Sequence, residues 1–247
     1  MTKRLRKSPR VFRSTPFVAL LLALLMVAAI AYGSAEKVER TYNIQGPAHL
    51  TISNINGDIA VTAWDKKFIS LRANTTPPAI FQDRIAGNEI GISVKRRIPP
   101  GTANFNVFVP PETSISLTNV IGKIDVSGVT GDVAVDSIDG DIRLLSVHAA
   151  SVDVKVTTGN IIFDGELRDG GSYTLQSVNG DIDVTLPAAC AFDLNARSLS
   201  GTINLSDFIK SLTGGSKLRR GVSGTHLKSG TRLSLTTFNG RVLLHKR

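Results

Sequence analysis

A short unit built around a glycine recurs along this chain and restricts its fold more than any other feature. The clearest copy is Ser177-Val178-Asn179-Gly180-Asp181-Ile182-Asp183-Val184, and eight glycines, at 57, 122, 131, 140, 159, 180, 201 and 240, stand in the same context. Two residues before them lie Ile55, Val120, Val129, Ile138, Thr157, Val178, Leu199 and Phe238. Two after lie Ile59, Ile124, Val133, Ile142, Ile161, Ile182, Ile203 and Val242, and four after lie Val61, Val126, Val135, Leu144, Phe163, Val184, Leu205 and Leu244. Composition alone would put about one of the twenty-two glycines in such surroundings, so the unit is a structural repeat.

Apolar residues at even offsets on both sides of a glycine predict a strand, a corner and a second strand, with positions −2, +2 and +4 on one buried surface. Glycine supplies the positive φ or the close backbone approach that such a corner needs. Asn56, Thr130, Asp139, Thr158, Asn179, Ser200 and Asn239 precede it as turn formers. A two-residue hairpin and a bent or bulged strand both fit this pattern. Each unit is too short to bury its own face, so the core has to come from stacking. The expected fold is all-β, a repetitive solenoid or β-helix-like stack of short strands with glycine corners; an elongated sandwich is the second choice.

The net charge of +9 suggests nucleic acid only until it is located. Lys3, Arg4, Arg6, Lys7, Arg10 and Arg13 carry six of the nine charges, and three remain for residues 36–247. That balance is ordinary for a domain with no nucleic-acid partner. The basic leader runs into sixteen uninterrupted apolar residues, Phe17 to Tyr32, followed by the small residues Gly33, Ser34 and Ala35. Residues 1–35 therefore read as a secretory signal peptide or an uncleaved signal anchor, and residues 36–247 as one exported domain. Its expected place is periplasmic, extracellular or held at the membrane by the N-terminal segment.

Along that domain, Leu50-Thr51-Ile52, Ile59-Ala60-Val61, Ile90 to Val94 and Phe105 to Val109 alternate as strands, and Phe68 to Ala73 reads as the partner of Ile59 to Val61. A basic, Pro-rich turn at Lys95 to Gly101 separates two of them, and a short helix is expected only within residues 79–91. A second level of repetition joins Val109-Pro110-Pro111, ahead of Gly122, to Leu186-Pro187-Ala188, ahead of Gly201. Each is an apolar residue, a proline stop and a turn into the next strand. Residues 210–231, with Lys210, Lys217, Arg219, Arg220 and Lys228 and no acid, read as an exposed mobile loop. Leu233 to Leu235 and Val242 to Leu244 are expected to close the sheet.

Asp58, Asp132, Asp141 and Asp181 each follow a repeat glycine, with Asn160 in the same place. Stacked coils would set them in a column, either as calcium ligands or as turn caps on a solvated edge. The second reading is preferred, because Lys123, Thr202 and Arg241 interrupt the column. A polysaccharide-acting enzyme on a β-helix would need carboxylates grouped on one face, and Asp125, Asp136, Asp153, Asp183 and Asp193 are the acids available. His49, His148, His226 and His245 lack metal-ligand spacing, and Cys190, without a neighbouring His, reads as a filler of a small apolar site. No catalytic, cofactor-binding or metal-binding residue is assigned.

Taken together, the Ser-Val-Asn-Gly-Asp-Ile-Asp-Val units, the early strand ending in Trp64-Asp65, the Leu186-Pro187-Ala188 turn and the glycine-rich segment ahead of Thr237-Phe238-Asn239-Gly240 resemble the bacterial putative-adhesin family, an adhesin-like β domain of unknown function. The resemblance covers roughly residues 40–246. It implies an exported repetitive β structure that binds or builds in the cell envelope without catalysis, with a polysaccharide, cell-wall polymer or protein as ligand. The alternatives are the polysaccharide-acting enzyme and a calcium-binding β-roll.

Overall fold

Period-two burial sets almost every element of this chain. In the segment Val133–Asp139, Val133, Val135 and Ser137 are buried while Ala134, Asp136 and Ile138 face solvent, as a strand with one face on a core requires. The computed structural model describes residues 35–247 except 78, 96–100, 206, 215, 219, 228 and 229. The expected signal peptide or anchor lies outside the described residues. Within them, no helix is long and apolar enough to cross a membrane.

The strands in chain order are β1 Glu36–Asn43, β2 His49–Ser53, β3 Ile59–Ala63, β4 Phe68–Thr75, β5 Ile80–Ala86, β6 Glu89–Lys95, β7 Ala103–Val109, β8 Ser114–Ile121, β9 Ile124–Ser127, β10 Val133–Asp139 and β11 Ile142–Val147. They continue as β12 Ser151–Thr158, β13 Ile161–Gly165, β14 Ser172–Asn179, β15 Ile182–Leu186, β16 Phe192–Ser200, β17 Ile203–Asn204, β18 Leu212–Thr213, β19 Lys217–Leu218, β20 Gly221–His226, β21 Arg232–Asn239 and β22 Val242–Lys246. One sheet has ten strands in the order β1-β4-β7-β3-β9-β11-β13-β15-β22-β17. The other has twelve, in the order β18-β20-β16-β21-β14-β12-β10-β8-β2-β6-β5 with β19 on β20.

Seven times the chain leaves a strand of the twelve-stranded sheet, turns at a glycine and enters the ten-stranded sheet: β2–β3, β8–β9, β10–β11, β12–β13, β14–β15, β16–β17 and β21–β22. Neighbouring coils pair in parallel. This is the expected all-β solenoid. Position +2 forms one inner row, Ile59, Ile124, Ile142, Ile161, Ile182 and Val242, and position +4 forms the next, Val61, Val126, Leu144, Phe163, Val184 and Leu244, all buried. Residues in a row lie one strand spacing apart, about 4.8 Å, and each such burial stabilises by roughly 1.5–3 kcal/mol.

At the corners the glycines themselves are stacked. A Cβ on Gly122 would overlap the carbonyl oxygen of Gly57; the same holds for Gly140 against Gly122, Gly159 against Gly140, Gly180 against Gly159, Gly240 against Gly180 and Gly201 against Gly240. Several also need positive φ, +122° at Gly57 and +132° at Gly122. Gly131 does not belong to this spine. It lies in the return connection between β9 and β10, where its neighbour Val129 is buried and a Cβ would meet the carbonyl of Thr113.

The coils are not stacked in chain order. β6 and β7 pair in parallel with β2 and β3 on one side, while β8 and β9 flank the same coil on the other. At the far end β21–β22 is inserted between β14–β15 and β16–β17. Leu233 to Leu235 and Val242 to Leu244 therefore occupy an interior coil instead of closing the sheet. Both skips follow the repeated proline turns. After Pro110 the chain passes from β7 to β8 across the β2–β3 coil, and after Pro187 it passes from β15 to β16 across the place of β21–β22. Both turns are closed by a bond to the proline carbonyl, from Thr113 N at 3.1 Å and from Cys190 N at 3.1 Å.

Three other expectations are corrected. Phe68–Thr75 pairs antiparallel with β1 and β7, not with β3. The span 79–91 is a β5–β6 hairpin, because Phe81 packs on Phe105 with centroids 6.1 Å apart and Gly87 takes φ +63° in its turn. The basic segment 210–231 contains β20, antiparallel on β16, with His226 buried against Phe192 and Phe208.

Gly180→Ala is expected to destabilise by about 3 kcal/mol, as forced overpacking does. Gly87→Ala, which has open space around its Cβ position, should cost only the left-handed penalty of about 1–2 kcal/mol. Urea denaturation of the two variants checks the order; equal losses would remove the glycine stack as the governing constraint.

Candidate functional site

The corner does not keep the strand's alternation. In β10 and β12 the pairing passes from Ser137–Val156 to Asp139–Thr158 without pairing Ile138, so positions −2 and −1 both turn outward and position −3 is the last to point in. The expected burial of position −2 therefore fails. Ile138 is 53% exposed, Val178 46%, Phe238 49% and Leu199 41%, and Thr157 in the same row is also exposed. In coil order the row reads Val120, Ile138, Thr157, Val178, Phe238, Leu199. It is an apolar ridge running along the solenoid.

Position −3 carries the polar counterpart, inside. The Ser177 hydroxyl donates to the Gly159 carbonyl at 3.0 Å, Thr237 to Gly180 at 2.9 Å and Ser198 to Gly240 at 2.8 Å. The Asn119 amide donates to both Gly57 and Gly122, and the Asn54 amide to Gly57 and Ala103. The close glycine stack leaves carbonyls inside the corner, and these buried donors satisfy them. This row was not recognised from the sequence. Its signal was present: six of the seven spine copies carry Asn, Ser or Thr three residues before the glycine, with Val156 the exception.

Position +1 forms the expected column, and its side chains are used by the fold. Asp58 Oδ1 accepts from Lys123 N at 2.8 Å, Asp141 Oδ1 from Asn160 N at 2.9 Å and Asn160 Oδ1 from Asp181 N at 2.9 Å. Asp181 Oδ1 accepts from Arg241 N at 2.7 Å, and its Oδ2 pairs with the Arg241 guanidinium at 2.6 and 2.9 Å. Each side chain thus caps the next coil. Asp132 is absent from the column because Gly131 lies in the return connection; it accepts from Ser151 N at 3.1 Å. Among the described residues no group of three or more His, Cys, Asp or Glu side chains is arranged to hold a metal ion.

The remaining candidates are dispersed. Asp125 and Asp183 lie on the ten-stranded sheet and Asp136, Asp153 and Asp193 on the twelve-stranded one. Asp153 pairs with Lys155 at 2.7 Å, and Asp193 accepts from the Thr225 hydroxyl at 2.6 Å. His148 lies 3.4 Å from Glu166, His245 3.6 Å from Asp183 and 3.9 Å from Asp207, and His49 is exposed on β2. Cys190 packs, half-buried, against the core. Trp64 is locked between Phe108, stacked at 5.2 Å, and the Lys66 ammonium at 4.8 Å, so neither face of the indole offers a platform.

An open groove of about 400 Å³ lies beside the ridge, lined by Val178, Phe238 and Leu199, by Gln176 and Thr236, and by Arg197 and Arg220. β14, β21 and β16 place the three apolar side chains side by side through register. β20, pairing Arg197 with Gly221, brings Arg220 from the basic segment to the same end. No carboxylate lines the groove.

A stack of glycine-cornered coils, with its polar side chains committed to capping and its apolar side chains displayed on a ridge, defines a repetitive β-solenoid that presents a surface. The chain belongs to the Toastrack DUF4097 family, whose model matches residues 41–244, in line with the adhesin-like resemblance read from the repeats. Its fold is shared with a putative cell adhesion protein from Clostridium sporogenes, at a TM-score of 0.55 and 9% identity over 87% of this chain and 100% of that one. A putative adhesin from Bacteroides fragilis superposes at a TM-score of 0.43 and 14% identity, over 85% of this chain and 98% of that one. No curated protein matches the chain.

The guanidinium and backbone N–H of Arg241 hold the Asp181 carboxyl below its ordinary value of about 3.9. A lowered folded value means that this contribution to stability is present above the ordinary pKa and lost as pH falls through the lowered one. Arg241→Ala should return the Asp181 titration toward the ordinary value. Carboxyl NMR titration of the two proteins checks this, and coincident curves would contradict it.

Proposed function

We propose that this chain is an exported, non-catalytic β-repeat protein of the bacterial cell envelope, acting as an adhesion or binding module through its corner ridge. The observation that carries this reading is the line of exposed Ile138, Val178, Phe238 and Leu199. The fold does not require apolar residues there, since Thr157 fills the same position in β12. An exposed apolar row rimmed by polar side chains is the usual mark of a contact surface. The basic leader and apolar run of residues 1–35 support export. The Clostridium protein with this fold carries the name of a cell adhesion protein, which agrees in kind. Of the envelope ligands expected, those with an apolar portion fit the ridge best, whether borne by a cell-wall polymer, a polysaccharide conjugate or a protein.

The test is retention of the purified full chain on isolated envelope fractions. Replacing both Val178 and Phe238 by Ser is expected to weaken retention about tenfold or more, from the loss of roughly 1.5–3 kcal/mol of apolar burial per side chain, with the melting temperature unchanged because both side chains are exposed. Undiminished retention would remove the ridge as the binding surface.

A further inference from the structure

We infer that the groove at the C-terminal end of the ridge binds a single-chain anionic amphiphile, its alkyl chain along Val178, Phe238 and Leu199 and its head group on Arg197 and Arg220. The inference rests on the ridge being the binding surface and adds the chemical class of the ligand.

The order of the side chains carries the argument. β14, β21 and β16 are consecutive strands, so Val178, Phe238 and Leu199 follow one another across about 10 Å, two strand spacings. The next position along that line belongs to β20. There the Arg220 carbonyl accepts from Ser198 N at 3.1 Å, which sets Arg220 level with Ser198, one residue short of Leu199, and Arg220 and Leu199 line the same groove. Arg197, outward on β16, lies beside it. The groove thus runs from an apolar line to two arginines at its β16–β20 end, which matches an amphiphile lying flat with its head at one end.

Charge supports the same polarity. Arg72, Arg241 and Arg247 each pair with a carboxylate, at 3.4, 2.6 and 3.0 Å. Arg197 and Arg220 face a groove whose lining contains no acid, so two guanidinium groups suited to bidentate carboxylate or phosphate recognition remain available. The row flanking the apolar line on one side runs Lys155, Gln176, Thr236 and Arg197, with Lys155 paired to Asp153 at 2.7 Å, and the row on the other carries Asn179, Asn239 and Ser200. A bilayer would meet cations along both flanks of an apolar row, whereas here one flank carries only Asn179, Asn239 and Ser200 and the two arginines of the groove stand together at one end. The ligand that fits is therefore a free amphiphile with a carboxylate or phosphate head, not a membrane surface.

The experiment titrates the purified full chain with dodecanoate and dodecyl phosphate below their aggregation thresholds, by calorimetry. Dodecyltrimethylammonium, an acidic Asp-Leu repeat peptide and phosphatidylglycerol vesicles serve as comparison probes. Saturable binding of one dodecanoate per chain is expected, at least tenfold tighter than the cationic probe and tighter than the peptide. Arg197→Gln together with Arg220→Gln should weaken it about tenfold or more, the loss typical of hydrogen bonds to charged groups. Phe238→Ser should weaken it comparably, and Lys155→Gln on the same sheet face should leave it unchanged. All four residues are exposed, so these variants test binding and not folding. Absence of saturable dodecanoate binding, equal binding of the cationic probe, indifference to the arginine pair, preference for the peptide, or binding to vesicles alone would each overturn the assignment. Envelope retention that still depends on Val178 and Phe238 would then leave the binding module standing and remove only its ligand class; loss of both would remove the ridge altogether.

Discussion

Backbone meets backbone at one corner of this solenoid, closer than any side chain would allow. Each spine glycine except Gly57 sits against the carbonyl of the glycine in the adjacent coil, and Gly57 sits against that of Ala103; that contact sets the remaining features of the corner. Because the coils close up there, the carbonyls turn inward and need donors, which Asn54, Asn119, Ser177, Ser198 and Thr237 supply. Because the chain turns so sharply, two residues leave the core before the glycine, and one of them becomes the ridge. The column of Asp and Asn at position +1 ties the outer edge of one coil to the N–H groups of the next. The inner donors, the outer caps and the exposed row follow from a single close approach.

The ends of the stack obey a different rule from its middle. Parallel coils would leave long strands unpaired at both ends, a standing invitation to edge pairing. Here the ends change to antiparallel partners, β4 and β1 on one sheet, β5 on the other, and β20 with β18 at the far end. β1 carries Glu36, Lys37, Glu39 and Arg40, while β17 and β18 are two residues long. Short or charged edges discourage continued growth.

The rows at +2 and +4 were legible because each spine coil states them again. The row at −2 was misread because even spacing runs through the glycine in sequence while the chain in space spends an unpaired residue at the bend. Ser137, Ser177 and Ser198 carried the correction, since a polar residue at an otherwise inward position marks where the alternation ends. Gly131 shares the apolar positions −2, +2 and +4 with the spine glycines and still lies in a return turn; what sets it apart is Gly128 three residues before it, where six of the seven spine copies carry Asn, Ser or Thr. Coil order was not legible, because Pro110 and Pro187 signal a turn and carry no information about how far across the sheet the chain then travels. The Arg197–Arg220 pair was hidden for a similar reason. Antiparallel pairing of β16 with β20 brings together residues that local pattern assigns to a strand and to a loop.

The interior position of β21–β22 bears on how the molecule comes to exist. Residues 232–246 fill a slot between two coils that precede them in the chain, so β16 has no partner toward β14 until those residues arrive. Stacking cannot advance coil by coil in the order of synthesis at this end. The outer coil has its seat only on the inserted one, across a span of about forty residues between the glycines that become neighbours (Gly201 and Gly240), and closing so long a loop is entropically slow. The groove beside Phe238 is bounded by strands from both sides of that event. It comes into being only when the last piece of the architecture is seated, so an incomplete solenoid presents no site at all.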